Sequence, residues 1–317
     1  MNFNFIKPIL IAFGINVLVS PIIIPFLIKL KFGQYIRDDG PKTHLRKAGT
    51  PTMGGIIILL SILITSLFYV SSHPDIIPIL FMTLGFGLIG FLDDFIKIVM
   101  KRSLGLKAWQ KIIGQILITA IFAYYLLNYT NVQTSMIIPF SNSLELVVGN
   151  WFLPILFFVV IGTVNSVNLT DGLDGLASSV TVLVAAFFSV VSIGMKSGIE
   201  PITCAAVGSL LGFLLFNSHP ARVFMGDTGS LALGGFVAAT AYMLQMPLFL
   251  VIVGFVYVIE TLSVVFQVFY YKRTKKRLFK MAPLHHHFEL SGWNETKVVS
   301  VFSILTAILS LVGLLAI

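Results

Sequence analysis

Long hydrophobic runs, rather than alternation, set the pattern of this chain. Uncharged stretches cover residues 8–28, 52–72, 76–92, 112–144, 146–170, 175–195, 201–218, 228–259 and 298–317. Each is long enough to cross a hydrocarbon core of about 30 Å as a helix. Two of them need dividing. The run 228–259 is too long for one crossing and breaks at Gln245-Met246-Pro247, since proline cannot continue a helical ladder. This gives one helix before the break and a second reaching about Tyr271. In 112–144 the polar, proline-containing part 128–143 reads as a loop, and 128–145 as a small hairpin. The pattern therefore predicts ten helices in an all-α polytopic membrane protein, with 1–317 as a single integral-membrane domain.

Composition agrees: 57% of residues are hydrophobic and 11% charged, against about 25% charged in an average soluble domain. Basic residues cluster in 29–47, 97–111 and 272–280, with Arg222 and Lys297 beside them. With ten crossings and both termini on the extracytoplasmic side, all 21 Lys and Arg except Lys7 and Lys196 fall in the cytoplasm, as the positive-inside rule requires. Eight or nine crossings would scatter the clusters over both faces. The net charge of +8 thus reflects topology and attraction to anionic membrane lipids and substrates, with no nucleic-acid partner. The first run has no small-residue cleavage site and reads as a retained helix. The one cysteine, Cys204, excludes an internal disulfide.

That topology puts five aspartates and three histidines on the cytoplasmic face. Asp93 and Asp94 end the third predicted helix, Asp171 and Asp174 follow the fifth, Asp227 opens the eighth, and His285, His286 and His287 precede the tenth. Charges near a membrane-helix end are costly and mark function by default. Each motif also has a plainer reading. Asp93-Asp94 reads either as a charged helix end or as a pair held by a divalent cation or divided between separate roles. Asn168-Leu-Thr-Asp171-Gly-Leu-Asp174-Gly reads as a turn or as a ligand loop whose glycines let backbone approach closely. Gly226-Asp227-Thr228-Gly229-Ser230 supplies a helix cap and free N–H groups for a phosphate. Consecutive histidines suit donation to a nucleotide or phosphate better than a zinc site. Lys97 lies one turn after Asp93 and shares its face. The basic run 272–280 reads as a lipid-headgroup contact. Glu260 and Gln267, seven residues apart, share a face of an otherwise apolar helix.

Carboxylate oxygens without thiolates suit Mg²⁺, and with lysines they suit a diphosphate undergoing phosphoryl transfer. The residues by themselves lead to Mg²⁺-dependent phosphotransfer at the cytoplasmic interface. A secondary transporter is the rival from another class, though its charges would gather at the membrane midplane.

Five segments carry a resemblance over nearly the whole chain: Pro41-Lys-Thr-His44 through Lys47 and Thr52 to Gly55; Leu92-Asp93-Asp94; Asn168 through Asp171 to Asp174-Gly; Phe216-Asn217 through Phe224 and Asp227 to Ser230; and Pro283-Leu-His285-His286-His287-Phe-Glu289. In these the chain resembles the phospho-N-acetylmuramoyl-pentapeptide transferase family, within the polyprenyl-phosphate N-acetylhexosamine-1-phosphate transferases. The unbroken histidines followed by Glu289 favour the muramoyl branch over one using UDP-N-acetylglucosamine.

The resemblance implies a homodimer in the bacterial inner (plasma) membrane, its cytoplasmic cleft binding UDP-N-acetylmuramoyl-pentapeptide. Undecaprenyl phosphate would reach the cleft along the ninth helix, giving lipid I and UMP. It implies Asp227 as the Mg²⁺ ligand. Asp93 would act on the lipid phosphate as base or as nucleophile, with Asp94, Lys97 and His285 also catalytic. Lys47, Thr52, Lys111, Asn168, Asp171, Asp174, Asn217, Phe224, Gln267, His286 and His287 would contact substrate.

Overall fold

The computed structural model describes residues 5–29, 49–100, 105–130, 134–141 and 144–317. Its α-helices, in order, are α1 (Ile6–Lys29), α2 (Gly55–Leu67), α3 (Ile77–Val99), α4 (Ala108–Tyr129), α5 (Phe152–Thr170), α6 (Leu176–Met195), α7 (Glu200–Asn217), α8 (Gly226–Met243), α9 (Leu250–Val253), α10 (Phe255–Thr274), α11 (Leu284–Glu289) and α12 (Glu295–Leu315). Strands β1 (Ser135–Ile137) and β2 (Glu145–Val147) pair antiparallel, with Ser135 opposite Val147. A hairpin is expected within 128–145; the one observed has its second strand just past that range, running on to Val147.

Among the described residues, seven helices are long and apolar enough to cross a membrane, and eight if the pair Pro247–Val253 and Phe255–Thr274, bent by 83°, is one span. Two of the ten expected segments fall short of that test, for different reasons. α2 has 13 residues, about 20 Å at 1.5 Å per residue. α8 is long enough, but its opening turns are glycine, aspartate, threonine and serine. It tolerates them because protein surrounds it: every residue from Thr228 to Tyr242 is buried, so no stripe of α8 has to face lipid. α10 is the opposite case. Of its 20 residues only Val256, Tyr257, Glu260 and Ser263 are buried.

Small residues make the sheathing of α8 possible. A Cβ on Gly90 of α3 would strike the Asp227 carbonyl, and one on Gly55 of α2 would strike Gly229. Ahead of α8, Gly54 and Gly55 donate to the carbonyls of Phe224 and Met225 at 2.8 and 2.9 Å, and Phe224 N–H donates to Pro51 at 2.8 Å. The start of α2 is thereby tied to the start of α8. At the far end of α8, Ile137 N–H donates to Gln245 at 2.8 Å, and Phe140 N–H to Ala316 at 2.8 Å. The hairpin thus closes one end of the bundle, and the aspartates gather at the other.

Candidate active site

Asp93 and Asp94 lie within α3, which continues to Val99 instead of ending at the acids. Continuation of the helix brings Lys97 round onto Asp93 at one turn's spacing: its Nζ lies 2.6 Å from Asp93 Oδ2. The same ammonium group is 3.0 Å from Asp227 Oδ2 and 3.6 Å from Asp94 Oδ1. Lys111, in the first turn of α4, reaches in from the other side, 2.7 Å from Asp227 Oδ2 and 3.1 Å from Asp93 Oδ1. Asn168, in the last turn of α5, donates to Asp227 Oδ1 at 2.9 Å and to Ser230 Oγ at 2.8 Å. Three residues remote from it in sequence, Lys97, Lys111 and Asn168, are thus drawn onto Asp227.

The adjacent aspartates share Lys97 but otherwise have different partners. Asp94, 3% exposed, accepts from the Thr228 N–H at 2.9 Å and its hydroxyl at 2.8 Å, both through Oδ2. It holds the first turn of α8. Asp93, wholly buried, accepts from the Leu106 N–H at 2.7 Å, fixing the segment before α4. Carboxylate oxygens of Asp93, Asp94 and Asp227 lie within 4.8 Å of one another. Hard oxygens so close fit a divalent cation. Among the described residues, three carboxylates face two ammonium groups.

A second group joins the loops beside this cluster. Asp174 Oδ2 lies 3.1 Å from His219 Nδ1 and accepts from the Ala221 N–H at 3.0 Å. Glu295 Oε2 is 3.3 Å from the same histidine nitrogen, and Glu295 Oε1 accepts from the Asp174 N–H at 2.6 Å. Asp171, at the end of α5, faces Asp227, Asp94 and Asp174. Burial first, then these like charges, push its carboxyl from 3.8 up to about 8.

Residues 76–245 match the glycosyl transferase family 4 model, and residues 47–59 match signature 1 of phospho-N-acetylmuramoyl-pentapeptide-transferase. Curated proteins of that name are similar over their full length. The one from Clostridium kluyveri is 54% identical, with 99% of each chain covered. That from Clostridium botulinum is 51% identical over 100% of this chain and 97% of its own. That from Acetivibrio thermocellus is 51% identical over 97% of this chain and 93% of its own. The chain belongs to the phospho-N-acetylmuramoyl-pentapeptide-transferase family.

Among the residues singled out from the family's motifs, the structure brings Asp93, Asp94, Lys97, Lys111, Asn168 and Asp227 into one cluster, with Asp171 facing it. Thr52 is buried next to Gly226, where a Cβ would meet its Oγ1. Phe224 is half-buried in the loop before α8. Other candidates are occupied with the fold. Asn217 accepts from Ser178 Oγ at 2.7 Å and donates to the Val223 carbonyl at 3.0 Å, bracing the loop 218–223. Gln267 accepts from the N–H groups of Leu278 and Phe279 at 3.0 and 2.9 Å, clamping the basic loop after α10. His285, His286 and His287 stand on the short helix α11 with separate hydrogen-bond partners, the first two rings in contact at a centroid distance of 4.1 Å. His285 turns to Glu260, His286 to Glu289 at 2.9 Å, and His287 accepts from the Lys280 N–H at 3.2 Å. Lys47 lies outside the described residues. Sequence reasoning missed His219 and Glu295, which no spacing connects to Asp174.

Proposed function

We propose that this chain transfers phospho-N-acetylmuramoyl-pentapeptide from its UDP donor to undecaprenyl phosphate. UMP leaves and lipid I forms, the first membrane step of peptidoglycan synthesis. The observation that carries the reading is the convergence of Asp93, Asp94, Asp227, Lys97, Lys111 and Asn168 where α3, α4, α5 and α8 end or begin. The transfer must bring the anionic phosphate of a lipid against the diphosphate of a nucleotide, and such chemistry depends on alignment and charge neutralisation. Lys97 and Lys111 supply two fixed positive charges. Asn168 holds one oxygen of Asp227 so that the other meets both lysines. Asp227, with Asp93 and Asp94 in reach, would hold Mg²⁺, which when bound supplies further positive charge to the phosphates. Asp93, next to Lys97, acts on the lipid phosphate.

In the membrane we assign ten crossings in one unit, 1–317. α2 and the sheathed α8 complete the eight, both termini are extracytoplasmic, and the acid end of the bundle faces the cytoplasm. We assign the bacterial inner membrane and a homodimer. The gathering of charge at one end, away from mid-bundle, supports a transferase over a transporter. The match over 47–59 supports the muramoyl donor over UDP-N-acetylglucosamine.

The test is UMP release by detergent-purified protein given undecaprenyl phosphate and Mg²⁺, with each of the two donors in parallel. Release with the muramoyl donor alone, abolished by EDTA, is expected. Release with UDP-N-acetylglucosamine alone overturns the donor, and release with neither overturns the activity.

A further inference from the structure

One buried polar pair stands apart from the acid and lysine cluster. Glu260 on α10 and His285 on α11 are both fully buried. Both oxygens of Glu260 are spent on the histidine: Oε1 accepts its backbone N–H at 3.2 Å, and Oε2 lies 3.2 Å from Nδ1. An ionised carboxylate can only accept, so the proton between them belongs to Nδ1. The other ring nitrogen, Nε2, is buried and, among the described residues, without a hydrogen-bond partner. It is aimed at the turn that follows Asp171: a Cβ on Gly172 would strike Nε2 and the ring carbons beside it.

Buried polar atoms in proteins are almost always satisfied, and an exception calls for a cause. Here Glu260 holds the ring at Nδ1, and the ring packs against the Gly172 backbone and the His286 ring, whose centroid is 4.1 Å away, while Nε2 is left unpaired at the turn that follows Asp171. Glycine at 172 is what allows the ring so close. We infer that Glu260 is a positioning residue for the transfer. It fixes the ring and tautomer of His285 so that Nε2 meets a phosphate or sugar oxygen of the donor beside the Asp171–Gly172 turn. A carboxylate on one ring nitrogen decides which role the other plays. With Nδ1 keeping its proton, Nε2 accepts from a sugar hydroxyl when the ring is neutral and donates to a phosphate oxygen when it is charged. The inference rests on the transferase reading above. Its bland rival is that Glu260 only anchors α11 to α10.

A double-mutant cycle on UMP release from radiolabelled donor separates the two. Glu260→Gln replaces an acceptor with a donor at nearly equal volume. It is expected to lower kcat about tenfold to a hundredfold, the scale on which partners that orient a histidine act. Donor KM is expected to move less than about threefold, and the melting temperature to stay put. In a His285→Gln background, where no Nδ1 remains to orient, the same substitution should cost less than about twofold. Gly172→Ala, which drives the ring away while leaving Glu260 intact, should reproduce the kcat loss. Equal losses from Glu260→Gln in both backgrounds overturn the inference. So does an unchanged kcat in Glu260→Gln, or wild-type turnover in Gly172→Ala. Absence of UMP release from the wild-type chain would fell the transferase reading and this inference with it, a result the variants alone cannot mimic.

Discussion

Where α3, α4 and α8 meet, three aspartates face two lysines, whereas at the starts of α6 and α12 two carboxylates, Asp174 and Glu295, face a single histidine. Both groups lie at the same end of the bundle and both are knit into loops and helix ends. They differ in what balances the negative charge. Lysine keeps its charge across the physiological range, so the two ammonium groups of the first group meet an arriving phosphate with fixed positive charge. Among the described residues, the second group's cation partner is a histidine, His219, whose side chain is 42% exposed. The first group is built for charge, the second for shape: its carboxylates are aligned by the backbone N–H groups of Ala221 and Asp174.

The largest effect should come from the first group. Asp227→Asn is expected to lower kcat by about 10²–10³-fold, the range for removing an electrostatic group at a phosphate-handling centre, while leaving the melting temperature near wild type. Asp94→Asn should do the reverse. It weakens two hydrogen bonds that hold Thr228, at about 1–3 kcal/mol of stability, and spares more of the turnover. UMP release and thermal melts on both variants decide this, and equal turnover in the two would erase the distinction drawn between them.

Next in size is Gly90→Ala. Crowding the Asp227 carbonyl should cost about 1–3 kcal/mol and reduce activity and Mg²⁺ response together, since Asp227 itself moves. A melting temperature equal to wild type would show that α3 and α8 can part without penalty. In the second group, Glu295→Gln weakens the bond to the Asp174 N–H. A loss of about 1 kcal/mol there corresponds to a roughly fivefold rise in donor KM with kcat nearly unchanged. A kcat loss as large as that of Asp227→Asn would put the two groups on an equal footing.

A further prediction concerns Asp171, which borders both groups. Its carboxyl is pushed from 3.8 to about 8 in the folded chain, so ionisation favours the unfolded state. The cost is absent below the ordinary carboxylate range, grows as pH rises from there, and is complete near pH 8. In metal-free protein, Asp171→Asn should therefore gain in melting temperature relative to wild type between pH 5 and pH 8, and no further above it. A difference independent of pH would mean that Asp171 is ionised throughout.

Much of the acid centre was legible. Lys97 follows Asp93 by one helical turn, and helix geometry alone puts them in contact. Acidic loops sharing one face of a predicted topology could be expected to converge, and they do. Which oxygen of Asp227 meets which lysine depends on how closely α3 and α8 approach, and that is set by Gly90 and Gly55 through contacts remote in sequence. His219 and Glu295 escaped for the same reason: nothing local links a loop after α7 to the first turn of α12. Asn217 and Gln267 show another limit: each side chain braces a loop, and sequence does not reveal where a polar group's hydrogen bonds go. The uncharged run from Thr228 marked α8 as a helix, but hydropathy does not show that protein rather than lipid surrounds it.

That last point bears on how the chain reaches the membrane. A helix that opens with glycine, aspartate, threonine and serine gains little by leaving the insertion machinery for lipid, where a single aspartate at mid-depth costs about 3 kcal/mol. The neighbours that bury α8 come mostly earlier in the chain: α2, α3 and α5 are synthesised before it, and α6 just ahead. A cradle of apolar helices is thus waiting when Asp227 emerges. Order of synthesis, and not only composition, places the acid where Lys97 and Lys111 already stand.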